Sequence, residues 1–152
     1  MANPDARKPP LERGEFSFFS EVSTRWTDND VYGHVNNAIY YEYFDSAVNR
    51  FLIEEGKLDI HTGSIIGLVV ESSCRYHAPL TYPDRLEVGV RVDRLGTSAV
   101  TYGVAVFAFG AETAAADGTF VHVFVGRTTR RPTPIPEPLR TALDGLRPRP
   151  MP

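Results

Sequence analysis

The chain has 152 residues, of which 42% are hydrophobic and 23% charged, with a formal net charge of −3. These values fit one globular domain that can bury a core without cross-links, and exclude both a disordered chain and a general, basic nucleic-acid binder. The single cysteine, Cys74, excludes an internal disulfide and a zinc site built on several thiolates. No apolar run approaches the ~18 residues of a membrane span, and the first ten residues lack the apolar stretch of a secretory signal, so the expected location is cytoplasmic.

In chain order, residues 1–14 are mostly polar with three prolines and read as a loose tail. A strand is expected over 16–26, with Phe16, Phe18, Val22, Thr24 and Trp26 sharing one parity and one buried face. From about Asn36 to Glu55 the pattern turns helical. Ile39, Tyr40, Tyr43, Phe44, Ala47, Val48, Phe51 and Leu52 form one apolar stripe, with Asn36 or Asn37 as N-cap and Gly56 just past the C-terminus. Four strands come next. The first runs from Gly67 to Tyr76, and the second carries Leu86, Val88, Val90 and Val92 on one parity. The third likewise carries Val100, Tyr102, Val104 and Val106, and the last runs from Phe120 to Val125 and on towards Arg130. Gly96 and Gly110 mark turns, and Leu139, Ala142, Leu143 and Leu146 suggest a short closing helix. Residues 147–152, with proline at every second position, read as a second tail. The order strand, long helix, four strands, with short later connections, predicts an α+β domain over 15–146 in which an antiparallel sheet of about five strands wraps one long helix. The helix covers one sheet face only. Strands apolar on both parities therefore point to a second subunit on the other face or on an edge.

One segment has a different chemistry. Trp26-Thr27-Asp28-Asn29-Asp30-Val31-Tyr32-Gly33-His34-Val35-Asn36-Asn37 joins the first strand to the helix and sets two carboxylates beside a helix start. Unpaired N–H groups and a positive partial charge at a helix start can polarise a carbonyl oxygen. A nearby carboxylate can act as general base or nucleophile. The same residues also suit a plain turn, with Asp28 and Asp30 as turn residues, Gly33 at φ > 0 and Asn36 as a cap. His34 in this segment and His61, His77 and His122 elsewhere show no metal-ligand spacing, and Cys74 stands without a second cysteine nearby.

The stretch Asp30-Val31-Tyr32-Gly33-His34-Val35-Asn36-Asn37-Ala38-Ile39-Tyr40 resembles the signature of hotdog-fold acyl-CoA thioesterases of the 4-hydroxybenzoyl-CoA thioesterase type. Arg75-Tyr76-His77-Ala78-Pro79 resembles the end of that family's second strand, and the segment from Thr129 to Pro136 resembles the stretch after its last strand, so the likeness spans about 16–145. The resemblance implies a hotdog fold, a homodimer or homotetramer with sites at subunit interfaces, and hydrolysis of a fatty or aryl acyl-CoA to free acid and CoA. It implies no cofactor beyond the CoA of the substrate and no metal; the charge and the lack of a long apolar run already argue against a nucleic-acid or membrane partner. By motif, Asp30 matches the catalytic carboxylate and the backbone N–H of Asn37 the group that polarises the thioester carbonyl. Tyr32, Gly33, His34, Val35, Tyr40 and Glu71 are expected at the substrate. Arg127, Arg130 and Arg131 are expected to meet CoA phosphates, whose oxygens suit Arg forks. Glu71 is placed by rough strand position only, following another hotdog branch. Two alternatives stand: a non-catalytic acyl-CoA binding or sensing module, and a hotdog hydratase or dehydratase, whose Asp-x-Asn-Pro-x-His pattern this chain lacks.

Overall fold

The computed structural model describes residues 8–148. Strand β1 (Phe18–Ser23) leads through a short 3-10 turn and a tight hairpin loop into helix α1 (Ile39–Glu54). Strands β2 (Ile65–Tyr76), β3 (Arg85–Leu95), β4 (Ala99–Ala108) and β5 (Ala116–Gly126) come after it, and a short helix α2 (Leu139–Asp144) closes the described chain. The five strands form one antiparallel sheet in the spatial order β1-β3-β4-β5-β2, so β1 and β2 are its edges. This is the α+β arrangement expected from the element order, and the hotdog fold that the resemblance implies. Among the described residues no helix is long and apolar enough to cross a membrane.

Helix α1 lays Tyr40, Tyr43, Phe44, Ala47, Val48, Phe51 and Leu52 into the main core, against Val88, Val90, Val92, Val104, Val106, Phe120 and Phe124 of the sheet. A helix of this length, ~24 Å, spans most of the strands it crosses. Neither Asn36 nor Asn37 is the N-cap: the helix starts at Ile39, later than expected, with Ala38 as its cap residue, and the Asn36 side-chain oxygen accepts the Ala38 N–H at 2.9 Å in the turn before it. At the other end the positive φ (57°) falls on Lys57 rather than Gly56. Gly56 is required by packing instead, because a Cβ there would overlap Leu139.

One polar pair lies inside the main core. His122 on β5 is 2% exposed, and its Nδ1 lies 3.3 Å from the Tyr102 hydroxyl on β4, with the rings of Phe120 and Phe124 packed against it. Burial holds its imidazole down to about 4.

The outer sheet face carries a second, smaller core of Phe16, Ala105, Phe107 and Ala114, with Leu11 and Phe19 against it. Phe16 thus lies on the opposite face from Phe18, which packs on Phe51 of α1. The chain kinks before β1 and breaks the expected parity.

The described part of the first tail, from residue 8, is not loose as expected. Leu11 donates its N–H to Asp117 Oδ2 at 2.9 Å and accepts from Ala114 N–H at 2.9 Å. Arg13 donates to the Ala111 carbonyl at 2.8 Å and to Glu87 at 2.7 Å, with its guanidinium over Phe19 and Phe107. Asp117 is fully buried and also takes Arg75 (Nη2 at 2.8 Å) and His77 (Nε2 at 2.9 Å). Residues 1–7 and 149–152 of the two expected tails lie outside the described residues.

Strand β5 begins four residues before the expected Phe120, because Ala116-Asp117-Gly118-Thr119 pairs along β2 and β4 despite its mixed polarity. It ends at Gly126 instead of continuing to Arg130, which lies in a turn at φ 60°.

Candidate active site

The loop between β1 and α1 is cross-braced at every level. Asn29 bridges Val35, and Asp30 N–H donates to the His34 carbonyl at 2.8 Å. Asn36 N–H donates to the Asp28 carbonyl at 2.8 Å. Gly33, at φ 84°, supplies the left-handed residue that such a tight loop needs. The loop is pinned sideways to the segment after β2: Val35 N–H donates to the Leu80 carbonyl at 2.7 Å, Thr81 Oγ1 to the Gly33 carbonyl at 2.8 Å, and Tyr82 N–H to Asn29 Oδ1 at 3.0 Å.

Two aspartates occupy different settings in this loop. Asp28 is fully buried at its base, where its Oδ2 accepts the Tyr43 hydroxyl at 2.8 Å and the Arg25 N–H at 2.9 Å. Burial first, and then Asp28, raise the Tyr43 phenol far above its ordinary value, so it stays a donor. Asp28 is thereby committed to holding loop to helix. Asp30 is half-buried nearer the tip, and its Oδ1 accepts the Tyr32 N–H at 2.8 Å. It borders an open groove of about 540 Å³ lined by Trp26, Thr27, Asn29, Val31 and Gly33. Trp26, Val31 and Tyr32 are strongly exposed around it.

Seven residues on, Asn37 stands at the start of α1. Its carbonyl accepts the Tyr76 hydroxyl at 2.7 Å, and the carbonyl before it, on Asn36, accepts the Ile39 N–H at 2.9 Å. Among the described residues the Asn37 N–H has no acceptor. A half-buried carboxylate and a free helix-start N–H thus share one rigid junction. That arrangement can polarise a carbonyl and deliver a base or nucleophile to it.

The other expected residues divide into two groups. Gly33, His34, Val35 and Tyr40 lie in or directly beyond the loop with Asp30, and Tyr32 sits exposed at its tip. Val35 and Tyr40 differ from expectation, since both side chains are core residues, 5% and 3% exposed. Tyr40 packs edge-on to Tyr76, and burial pushes its phenol up to about 12. The His34 carbonyl, not its imidazole, meets Asp30.

Glu71 is not brought to the loop. It comes just after a bulge in β2, pairs with Val121, and so faces away from α1. Arg127, Arg130 and Arg131 lie by the Ile65 end of β2, whereas the Asp30 loop lies by the Tyr76 end. The two ends are separated by the length of the strand, roughly 36 Å at ~3.3 Å per residue. Arg127 departs further from expectation. Its Nε and Nη2 each donate at 2.7 Å, to the carbonyls of Gly63 and Ile60, which makes it a tether of the 59–64 loop. The bond of Asp28 to Tyr43 and the roles of Tyr76 and Asp117 were not expected from the sequence. The sequence signal for Tyr76 was its place in the Tyr-x-x-Pro segment. Among the described residues no group of three or more His, Cys, Asp or Glu is placed to hold a metal ion.

Comparison with known proteins agrees with the fold. The chain is similar to the PA5185 protein of Pseudomonas aeruginosa strain PAO1, with 54% identity, a TM-score of 0.90, and 92% of this chain and 98% of that one covered. It is also similar to the PA2801 protein of Pseudomonas aeruginosa, with 28% identity, a TM-score of 0.76, and coverage of 82% and 95%. Against the YsmA protein of Bacillus subtilis it is 27% identical over 86 residues, which span 57% of this chain and 58% of that protein's length. A sequence model of the Thioesterase-like superfamily matches residues 24–143, from the residues leading into the Asp30 loop through the sheet to α2. The chain belongs to the Thioesterase-like superfamily of thioester hydrolases.

Proposed function

We propose that this protein hydrolyses an acyl-CoA thioester to the free acid and CoA at the junction of the Asp30 loop and α1. The observation that carries the proposal is the unpaired Asn37 N–H on the same braced segment as the half-buried Asp30 carboxylate. The thioester carbonyl oxygen accepts the Asn37 N–H, and the negative charge that develops on it is stabilised there and by the helix start. Asp30 acts by one of two routes. As base, it removes a proton from water while the water oxygen attacks the carbonyl carbon. As nucleophile, its oxygen attacks that carbon to give a mixed anhydride, which water then hydrolyses. Both routes break the carbon–sulfur bond, release CoA as thiolate and end on the same acid. The groove around Trp26 and Val31 gives an apolar acyl group a surface beside Asp30.

We further propose that the working form is a homo-oligomer built on the β2 edge. That edge exposes Val69 and Val70, 49% and 59%, beside an unpaired row of backbone groups. Antiparallel pairing of β2 with a second β2 brings the Tyr76 end of one copy to the Ile65 end of the other. The partner subunit's Arg130 and the partner subunit's Arg131 then approach the Asp30 loop, where CoA phosphates need cations.

The test is free-thiol release from short-chain, long-chain and aryl acyl-CoAs, with Asp30→Ala in parallel. Turnover by the native chain that falls at least about 100-fold in Asp30→Ala, with mass and fold retained, is expected. Equal turnover in both proteins makes Asp30 a turn residue. Tight acyl-CoA binding without turnover by the native chain makes this a binding module.

A further inference from the structure

Tyr76, the last residue of β2, sits where the edge strand reaches the start of α1. Its hydroxyl donates to the Asn37 carbonyl at 2.7 Å, and its ring lies edge-on to the buried Tyr40 at 5.2 Å between centroids. Desolvation, with the Cys74 thiol beside it, holds the phenol above its ordinary value, so the hydroxyl keeps its proton at any working pH.

Asn37 and Ala38 are the two residues between the braced loop and the first helical residue. The peptide group that carries the Asn37 N–H is held on its carbonyl side by Ile39. The next peptide group is held at its N–H by the Asn36 side chain and at its carbonyl by Tyr76. Of these three contacts only the Tyr76 bond comes from outside the turn. It ties the peptide group next to the free N–H to the sheet.

We propose that Tyr76 is a positioning residue for thioester cleavage: its hydroxyl, bonded to the Asn37 carbonyl, fixes the direction in which the Asn37 N–H points at the substrate carbonyl oxygen. The assignment rests on the function proposed above. Tyr76 itself transfers no proton. A donor aimed at a developing oxyanion acts through its geometry, and a misplacement of ~1 Å can cost ~100-fold in rate.

The test uses the full chain with Tyr76→Phe, which keeps the ring against Tyr40 and removes only the hydroxyl. With the acyl-CoA that the native protein turns over best, kcat is expected to fall about 10- to 100-fold, with KM within about twofold and an unchanged pH profile. Amide hydrogen exchange across 36–39 is expected to quicken in the variant while the rest of α1 stays as protected as in the native chain. An unchanged kcat overturns the proposal. So does a raised KM at constant kcat, which would make Tyr76 a substrate contact, or loss of one limb of the pH profile, which would make it a proton donor. General loss of exchange protection would make the role structural. If the native chain turns over no acyl-CoA, the parent reading and this one both fall. Native turnover with an unaltered Tyr76→Phe removes this one alone.

Discussion

His122 shows how one buried side chain can set a pH response for the whole fold. Its imidazole lies among Tyr102, Phe120 and Phe124 and is held down to about 4 by burial. An unfolded histidine titrates near 6.5, so between those values the unfolded chain binds a proton that the native chain refuses. Stability is therefore complete above about pH 6.5, declines as pH falls towards about 4, and is flat for this group below that. From pH 7 to pH 5 the loss comes to about 2 kcal/mol. Urea midpoints at the two pH values are expected to show it. His122→Gln, which stays neutral and offers Tyr102 a partner, is expected to remove most of the difference. Residues such as His122 also mark what a linear reading can see. Asp30, Gly33 and Asn37 were legible because a tight loop and a helix start are made of consecutive residues. Tyr76 meets Asn37 across 39 positions, Tyr43 meets Asp28 across 15, and Arg75 meets Asp117 across 42, so none of these bonds leaves a local pattern.

Among the elements, α1, β3 and β4 follow their apolar periodicity closely, because each buries one continuous face on the main core. Strand β5 was legible only where it is apolar. Its first residues are in the sheet for a different reason: Gly118 lets β2 approach closely, and a Cβ there would overlap the Ser73 carbonyl oxygen of the neighbouring strand. Gly118→Ala is expected to lower stability by about 3 kcal/mol in a urea titration. Gly14→Ala, with open space around it and an ordinary φ, is expected to stay within about 0.5 kcal/mol. Equal losses from the two would remove packing as the cause. The bulge in β2 at Val70 was equally invisible, yet it decides on which face Glu71 stands, and so why that carboxylate misses the Asp30 loop.

At the level of the whole molecule, the two groups of expected site residues stand at opposite ends of β2. In the proposed homo-oligomer a second copy closes that gap, and β2 is an edge that offers apolar surface and free backbone together. Val69→Lys combined with Val70→Lys is expected to give the mass of a single chain by light scattering, where the native protein gives a multiple. Thiol release is expected to fall with it while helix and sheet content persist. A lysine pair that leaves both mass and rate untouched places the interface elsewhere, with the outer sheet face as the next surface to probe.

The outer face is also where the N-terminal segment from Leu11 to Phe16 lies, and that segment changes what counts as the edge of the domain. A chain shortened to the first residue of β1 keeps every strand and every α-helix, and by backbone pattern it is intact. It nevertheless strips Phe107 and Phe19 of their cover, leaves Glu87 without Arg13, and takes the Leu11 N–H from a carboxylate that has no access to water. Such a fragment would keep the same strands and helices but expose an apolar patch beside a Glu87 that has lost its arginine and an Asp117 left to Arg75 and His77. The boundary that matters for handling this molecule is therefore drawn by one arginine and one main-chain amide, several residues outside its first strand.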